Sequence, residues 1–189
     1  MSETSEPNPT PTAQDGQMQL QTPLTTTTRY TITPSPIADL MLTTDGPSIT
    51  GLYMLPEHRH FPGPAADWVQ DPTPFTEAKS QLAAYFAGEL KEFDLPLAPR
   101  GTPFQRTVWQ ALTTIGWGET TTYGALAQIL GNPNSSRAVG MANGRNPVSI
   151  IIPCHRVIGS DGSLIGYGGG LPRKQQLLSL EGVGVPALF

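Results

Sequence analysis

Cysteine is almost missing from this chain: one, Cys154, stands among 189 residues. A single thiol excludes an intramolecular disulfide and any zinc site built on a cysteine cluster. A run of 18 apolar residues is also missing, so no segment reads as a membrane span. The start, Met1-Ser2-Glu3-Thr4-Ser5-Glu6, lacks a hydrophobic signal core, and a cytoplasmic protein is expected. Such a compartment keeps a lone thiol reduced. Residues 1–27 have few large apolar groups and much Thr, Pro, Ser and Gln, which cannot offset ordering entropy, so a disordered tail is expected. Positive charge is scarce too, and a net charge of −4 argues at first against nucleic acid. Its distribution reverses that argument. Residues 1–98 carry four Lys/Arg against twelve Asp/Glu, while residues 99–189 carry seven against three. The second half thus has a modest basic footprint.

The first half reads as a small α/β domain over residues 28–99. Residues 30–33 alternate like a strand, and residues 37–43 and 48–55 read as two strands around the Asp45-Gly46 turn. His58 and His60 would share a strand face and suit a metal, but no third ligand is near, so a surface loop is expected. Thr73 and Pro74 look like the cap and first position of a helix that carries Phe75, Leu82, Phe86 and Leu90 at helical spacing. Pro96 and Pro99 keep the following connector extended.

The second domain is expected over residues 100–182, with a frayed tail at 183–189. Thr102-Pro103-Phe104-Gln105 is a capping box, and Phe104, Val108, Ala111, Leu112 and Ile115 make one apolar face. A short helix over 124–130 ends at Gly131, and a second begins near Ser135 with Asn134 as its cap. Two short helices across a Gly/Pro turn form a helix-turn-helix pattern, which serves DNA binding or a plain structural corner. The second helix holds Ala138, Gly140, Ala142 and Gly144. Small residues suit close, sequence-tolerant approach to a minor groove, or equally tight packing between helices.

The apolar run 148–152 reads as a strand, and Cys154 would stand at its exit, between Pro153 and His155. Proline at the first position of a helical turn would place the thiol among free N–H groups, and His155 and Arg156 would add positive charge. Each of these lowers a thiol pKa. The alternative is an inert, buried structural cysteine. Residues 157–158 and 163–165, around Gly159-Ser160-Asp161-Gly162, read as a hairpin, followed by a glycine-rich loop and a last helix over 172–180.

Pro153-Cys154-His155-Arg156-Val157 resembles the acceptor motif of the O6-alkylguanine-DNA alkyltransferases, also called methylated-DNA–protein-cysteine methyltransferases. Arg137-Ala138-Val139-Gly140, Asn146-Pro147-Val148 and Tyr167-Gly168-Gly169-Gly170-Leu171 follow the same family's order and spacing. The resemblance covers residues 101–181 strongly and residues 29–99 loosely. It implies an α+β, two-domain fold: a small antiparallel sheet with a helix, then a mostly helical domain with a helix-turn-helix. It also implies single-turnover transfer of an alkyl group from O6-alkylguanine, and in some cases O4-alkylthymine, to Cys154.

In that reading His155, Glu181, Tyr123 and Asn146 join Cys154 in the chemistry. Arg137 enters the base stack as the damaged nucleotide leaves it, and Ala138, Ala142, Arg145 and Tyr123 touch DNA. Tyr167, Val157, Gly168, Gly169 and Lys174 line the substrate pocket. The partner is double-stranded DNA, met in the minor groove by a monomer. No cofactor or metal is implied, because the DNA itself is the alkyl donor. Gly168 departs from family members that carry serine there. A helix-turn-helix regulator, or a damage sensor without transfer, remains the alternative. A papain-like hydrolase fits poorly, since its cysteine and histidine are normally far apart in sequence.

Overall fold

The computed structural model describes residues 27–61 and 63–184. Apart from residues 27, 183 and 184, the expected tails lie outside the described residues. Strands β1 (Arg29–Thr33), β2 (Leu40–Thr44) and β3 (Ile49–Met54) pair antiparallel in that order. A two-residue strand, β4 (Val69–Gln70), joins β1 in parallel, so the sheet is mixed rather than antiparallel throughout. Helix α1 (Thr76–Phe86) starts later than the Thr73 cap suggests. Thr73 instead donates its N–H to Asp71 Oδ1, and Thr73–Phe75 form a 3-10 turn. Gly88, at φ 75°, closes α1 with an N–H from Glu89 to the Ala84 carbonyl, which leaves Leu90 outside it.

In the second half α2 (Pro103–Leu112) carries the capping box as read. Gln105 N–H donates to Thr102 Oγ1 and Thr102 N–H to Gln105 Oε1. Val108, Trp109 and Leu112 are buried, but Phe104 is 42% exposed and does not belong to the packed face. Helix α3 (Tyr123–Ile129) ends in a Schellman motif at Gly131, where Asn132 N–H reaches the Ala127 carbonyl. Helix α4 (Ser136–Gly144) is entered through the 3-10 turn Pro133–Ser135, with no side-chain cap from Asn134. Strands β5 (Thr121–Thr122) and β6 (Val157–Ile158) pair in parallel. The hairpin expected around 159–162 therefore does not form. Gly159 N–H closes a turn on the Ser163 carbonyl, but residues 163–165 make no strand. Helix α5 (Leu171–Leu180) completes the fold.

The two halves share one apolar core. The free edge of β3 joins them. Ile49 exchanges hydrogen bonds with Pro96 and Ala98 of the connector. Leu52 donates to the Pro147 carbonyl at 2.8 Å and accepts from Ser149 N–H at 3.2 Å. The first-half sheet thus holds the segment that leads to Cys154.

Candidate active site

Residues 148–152 form a tight coil, not the expected strand. Val148, Ile150, Ile151 and Ile152 are all buried, so this run faces apolar surroundings on every side and gains nothing from alternation. Ile151 N–H reaches the Ser149 carbonyl across Ile150, which sits at φ 71°. That left-handed conformation costs a β-branched residue about 1–2 kcal/mol. Cys154 N–H turns back to the Ile152 carbonyl at 2.8 Å. Pro153 stands at the cap of the three-residue turn Cys154–Arg156, not at its first helical position. The turn is only three residues long, and the one backbone N–H that acts on the thiol is that of Cys154 itself. Burial pushes its pKa up, opposed by a hydrogen bond from Asn146 and by the charge of Lys174. This corrects the lowered pKa expected from the motif.

Asn146 fixes both the coil and the sulfur. Its Nδ2 donates to the Ile152 carbonyl at 2.8 Å and to Cys154 Sγ at 3.1 Å, while its Oδ1 accepts from Val148 N–H. Asn143, which sequence reading missed, adds a weaker contact from Nδ2 to the Cys154 carbonyl.

Glu181 is the hub of a fully buried polar cluster. It caps α5, and Gly182 at φ 79° ends that helix in another Schellman motif, with Val183 N–H on the Leu178 carbonyl. Arg156 donates to both carboxylate oxygens at 2.8 Å and to the Ile115 carbonyl. Tyr85, from α1, donates to Oε1 at 2.7 Å, and His155 Nε2 lies 2.9 Å from the same oxygen. Burial pushes the Glu181 carboxyl up, but the hydrogen bonds from His155 and Arg156 outweigh it and hold the pKa down, to about 2. An ionised Glu181 accepts, so His155 carries its proton on Nε2 and leaves Nδ1 as a bare acceptor. That Nδ1 is buried and has no partner among the described protein atoms. Burial also pushes the His155 pKa down. Arg156 thus clamps the carboxylate rather than adding positive charge beside the thiol.

A cleft of about 310 Å³ opens between Tyr123, Arg137, Gly140 and the 165–166 loop. Tyr123 donates its hydroxyl to the Ile165 carbonyl at 3.0 Å, and its pKa is pushed up to about 12 by burial and by the nearby thiol. Tyr167 is buried with an unpartnered hydroxyl, and burial and the same thiol raise its pKa too. On the outside, α4 exposes Arg137, Ala138 and Met141, with Arg145 just beyond its end. A Cβ on Gly144 would touch nothing. Ala138 and Gly144 leave an open surface, whereas Gly140 faces the Tyr123 ring of α3, 3.5 Å from where a Cβ would stand. Ala142 differs. It is buried, and its carbonyl accepts from Trp109 Nε1 at 2.8 Å, so it cannot belong to the outer face.

Two profiles of known families match the chain. The 6-O-methylguanine DNA methyltransferase DNA binding domain matches residues 103–183, and the ribonuclease-like domain of the same proteins matches residues 28–99.

The chain belongs to the 6-O-methylguanine DNA methyltransferase family.

It is 52% identical to the methylated-DNA–protein-cysteine methyltransferase of Mycobacterium tuberculosis over 158 residues, 84% of this chain and 94% of the relative. It is 51% identical to that of Methanosarcina acetivorans over 153 residues, 81% and 97% of the two chains. The crystal structure of the M. tuberculosis O6-methylguanine methyltransferase superposes with a TM-score of 0.75 at 52% identity, over 82% of this chain and 92% of that one. A complex of the M. tuberculosis protein with DNA superposes equally well, over 81% and 92%.

Among the family-like residues, Lys174 is not open to a pocket. Its buried Nζ donates to the Val157 and Ile165 carbonyls at 2.6 and 2.8 Å, and burial pushes its pKa down to about 8. The carbonyl of Val157, another residue expected to line the pocket, accepts one of these bonds. Gly168 and Gly169 belong to the loop that follows. A Cβ at 168 would lie 2.7 Å from His58 Nε2, so a side chain there would have to displace the imidazole.

His58 is therefore not in a surface loop. It is 9% exposed, while His60 is exposed. Met54 N–H donates to His58 Nδ1 at 3.1 Å. Burial, then Arg173 and His60, lowers its pKa from 6.5 to about 4. The fold favours the neutral ring, so this stabilisation is full above the unfolded pKa and is lost as pH falls from 6.5 towards 4. That window corresponds to about 3 kcal/mol. Urea titrations at pH 7.5 and 4.5 should show a clearly smaller acid loss for His58→Gln than for the parent chain. Equal losses would show that His58 is not the group that titrates.

No helix among the described residues is long and apolar enough to cross a membrane.

Proposed function

We propose that the chain repairs O6-alkylguanine in double-stranded DNA by irreversible transfer of the alkyl group to Cys154 Sγ, once per molecule. The observation that carries this reading is the lone thiol, held by Asn146 and near enough to Tyr123 and Tyr167 to push both phenols' pKa values up, with Tyr123 itself lining the cleft at Arg137. A soft sulfur nucleophile suits displacement at an alkyl carbon. The thiol pKa is raised, so the thiolate must form within the site. The bare His155 Nδ1 takes the thiol proton through a bridging water, while Glu181 holds the ring from behind. Sulfur then bonds the alkyl carbon, and the carbon–O6 bond breaks with its electron pair passing to the base. Tyr123 gives a proton to the guanine ring nitrogen and is reprotonated from the His155 side. The net change moves the alkyl group to sulfur and one proton to guanine.

Sulfur cannot reach O6 inside a duplex, so the nucleotide turns out of the stack into the cleft, and Arg137 takes its place. Ala138 and Arg145 complete the contact surface. Residues 28–99 and 100–182 act as the two functional domains, and the cytoplasm, where thiols stay reduced, is the proposed compartment. Intact mass after mixing with a methylated-guanine duplex tests the reading. The protein should gain about one CH₂, on the Cys154 peptide alone, and then stop. Duplex binding without a mass gain would instead support a damage sensor or regulator.

A further inference from the structure

We infer that Arg59 and His60 form a phosphate-binding site, by which the first half of the chain grips the same duplex as α4. A second cleft, of about 450 Å³, runs between the two halves. Arg59 and His60 line one side, and Arg137, Met141 and Arg145 the other. Three guanidinium groups face this space, and no carboxylate lines it.

Their placement runs against the charge of the first half. Residues 1–98 hold four Lys/Arg against twelve Asp/Glu. Arg29 pairs with Asp71 at 3.3 Å. Arg59 is exposed and makes no ion pair among the described residues. An acidic half therefore turns an unpaired guanidinium towards two more, a repulsive arrangement that an anion in the cleft would relieve.

The loop is also built to hold its position. Arg59 N–H donates to the Gly168 carbonyl at 2.8 Å, and Phe61 N–H closes back on His58. His60 sits at φ 67°, and Phe61 stacks on Tyr53 with ring centres 4.0 Å apart. The backbone of Arg59 and His60 is thus fixed beside the second half, and their exposed side chains stay available to a ligand. Backbone phosphates run along both sides of a minor groove, so a helix lying in that groove brings phosphates to its flank. A phosphodiester is the anion that fits.

This inference rests on the duplex reading of α4. The test measures affinity for an undamaged duplex across a series of salt concentrations. Arg59→Ala should weaken binding by about fivefold to tenfold and reduce the slope of log affinity against log salt by about one. Arg59→Lys should restore most of the slope, because a point charge serves a phosphate. Adding His60→Ala to Arg59→Ala should weaken binding further. Methyl transfer from free O6-methylguanine base, which has no phosphate, is the control. If it falls in Arg59→Ala as much as duplex affinity does, the acceptor loop has shifted and the site is overturned. Salt-dependent parent binding that Arg59→Ala leaves unchanged overturns this site alone. A parent chain that transfers from the free base but shows no salt-dependent duplex binding overturns both the site and the duplex reading.

Discussion

Replacing Cys154 by alanine should abolish methyl transfer and leave affinity for duplex DNA within about twofold of the parent. Cys154 is 3% exposed, and the hydrogen bond its sulfur receives comes from Asn146, inside the protein. No other thiol exists in the chain to take over. The residues proposed to meet DNA lie on the outer side of α4, just past its end at Arg145, and at Arg59 and His60, and the sulfur's hydrogen bond from Asn146 involves none of them. Because burial holds the thiol pKa up, the change removes little charge at neutral pH. Truncation of one buried atom costs stability on the order of 1 kcal/mol, which a domain of ordinary stability tolerates. The checks are intact mass for transfer and fluorescence anisotropy for binding. Any mass gain in the alanine variant would place the acceptor elsewhere. A large loss of binding would show that the acceptor coil supports the DNA surface.

Arg156→Met should lower the stability at pH 7 by about 3–5 kcal/mol, because it leaves the Glu181 carboxylate buried without its cation. Both carboxylate oxygens now accept from Arg156, and methionine fills similar space but donates nothing. The pH dependence gives a second check. The Glu181 pKa is depressed, so its contribution is full above the unfolded value near 4.5 and is lost as pH falls towards 2. The difference between parent and variant should therefore shrink below pH 4.5. Urea unfolding at pH 7 and pH 3 measures both points. Arg156→Met combined with Glu181→Leu should recover much of the loss, since neither charge is then stranded. A loss below about 1 kcal/mol at pH 7 would mean that Tyr85 and His155 suffice to hold the carboxylate.

Local hydrogen bonding explains what could be read directly from the chain. The Thr102–Gln105 box, the Gly131 end of α3 and the stop after Leu180 each depend on residues three to five positions apart. Such contacts form wherever the short motif occurs, so residue order is enough to place them. The lone thiol and the small-residue helix could likewise be picked out, because both are matters of composition. The resemblance to the alkyltransferases added Glu181, Tyr123 and Tyr167, which no local pattern would single out.

Tertiary structure decided the rest, for reasons of distance and burial. Tyr85 meets Glu181 across 96 positions, and Arg156 meets it across 25. Beside Cys154 in the sequence, Arg156 looks like a thiolate partner; in space it turns to the carboxylate, where a buried anion needs it more. Tyr85 is buried on α1 where the sequence reading had placed Phe86, and nothing local says which acceptor its hydroxyl finds. Residues 148–152 read as a strand because five apolar-rich positions are compatible with any conformation buried on all sides. The edge of β3 and the side chain of Asn146 turned them into a coil. The chain itself determined which groups were available for chemistry. Which of them came into contact was decided by long-range packing, since a buried polar group must find its partner wherever the fold provides one.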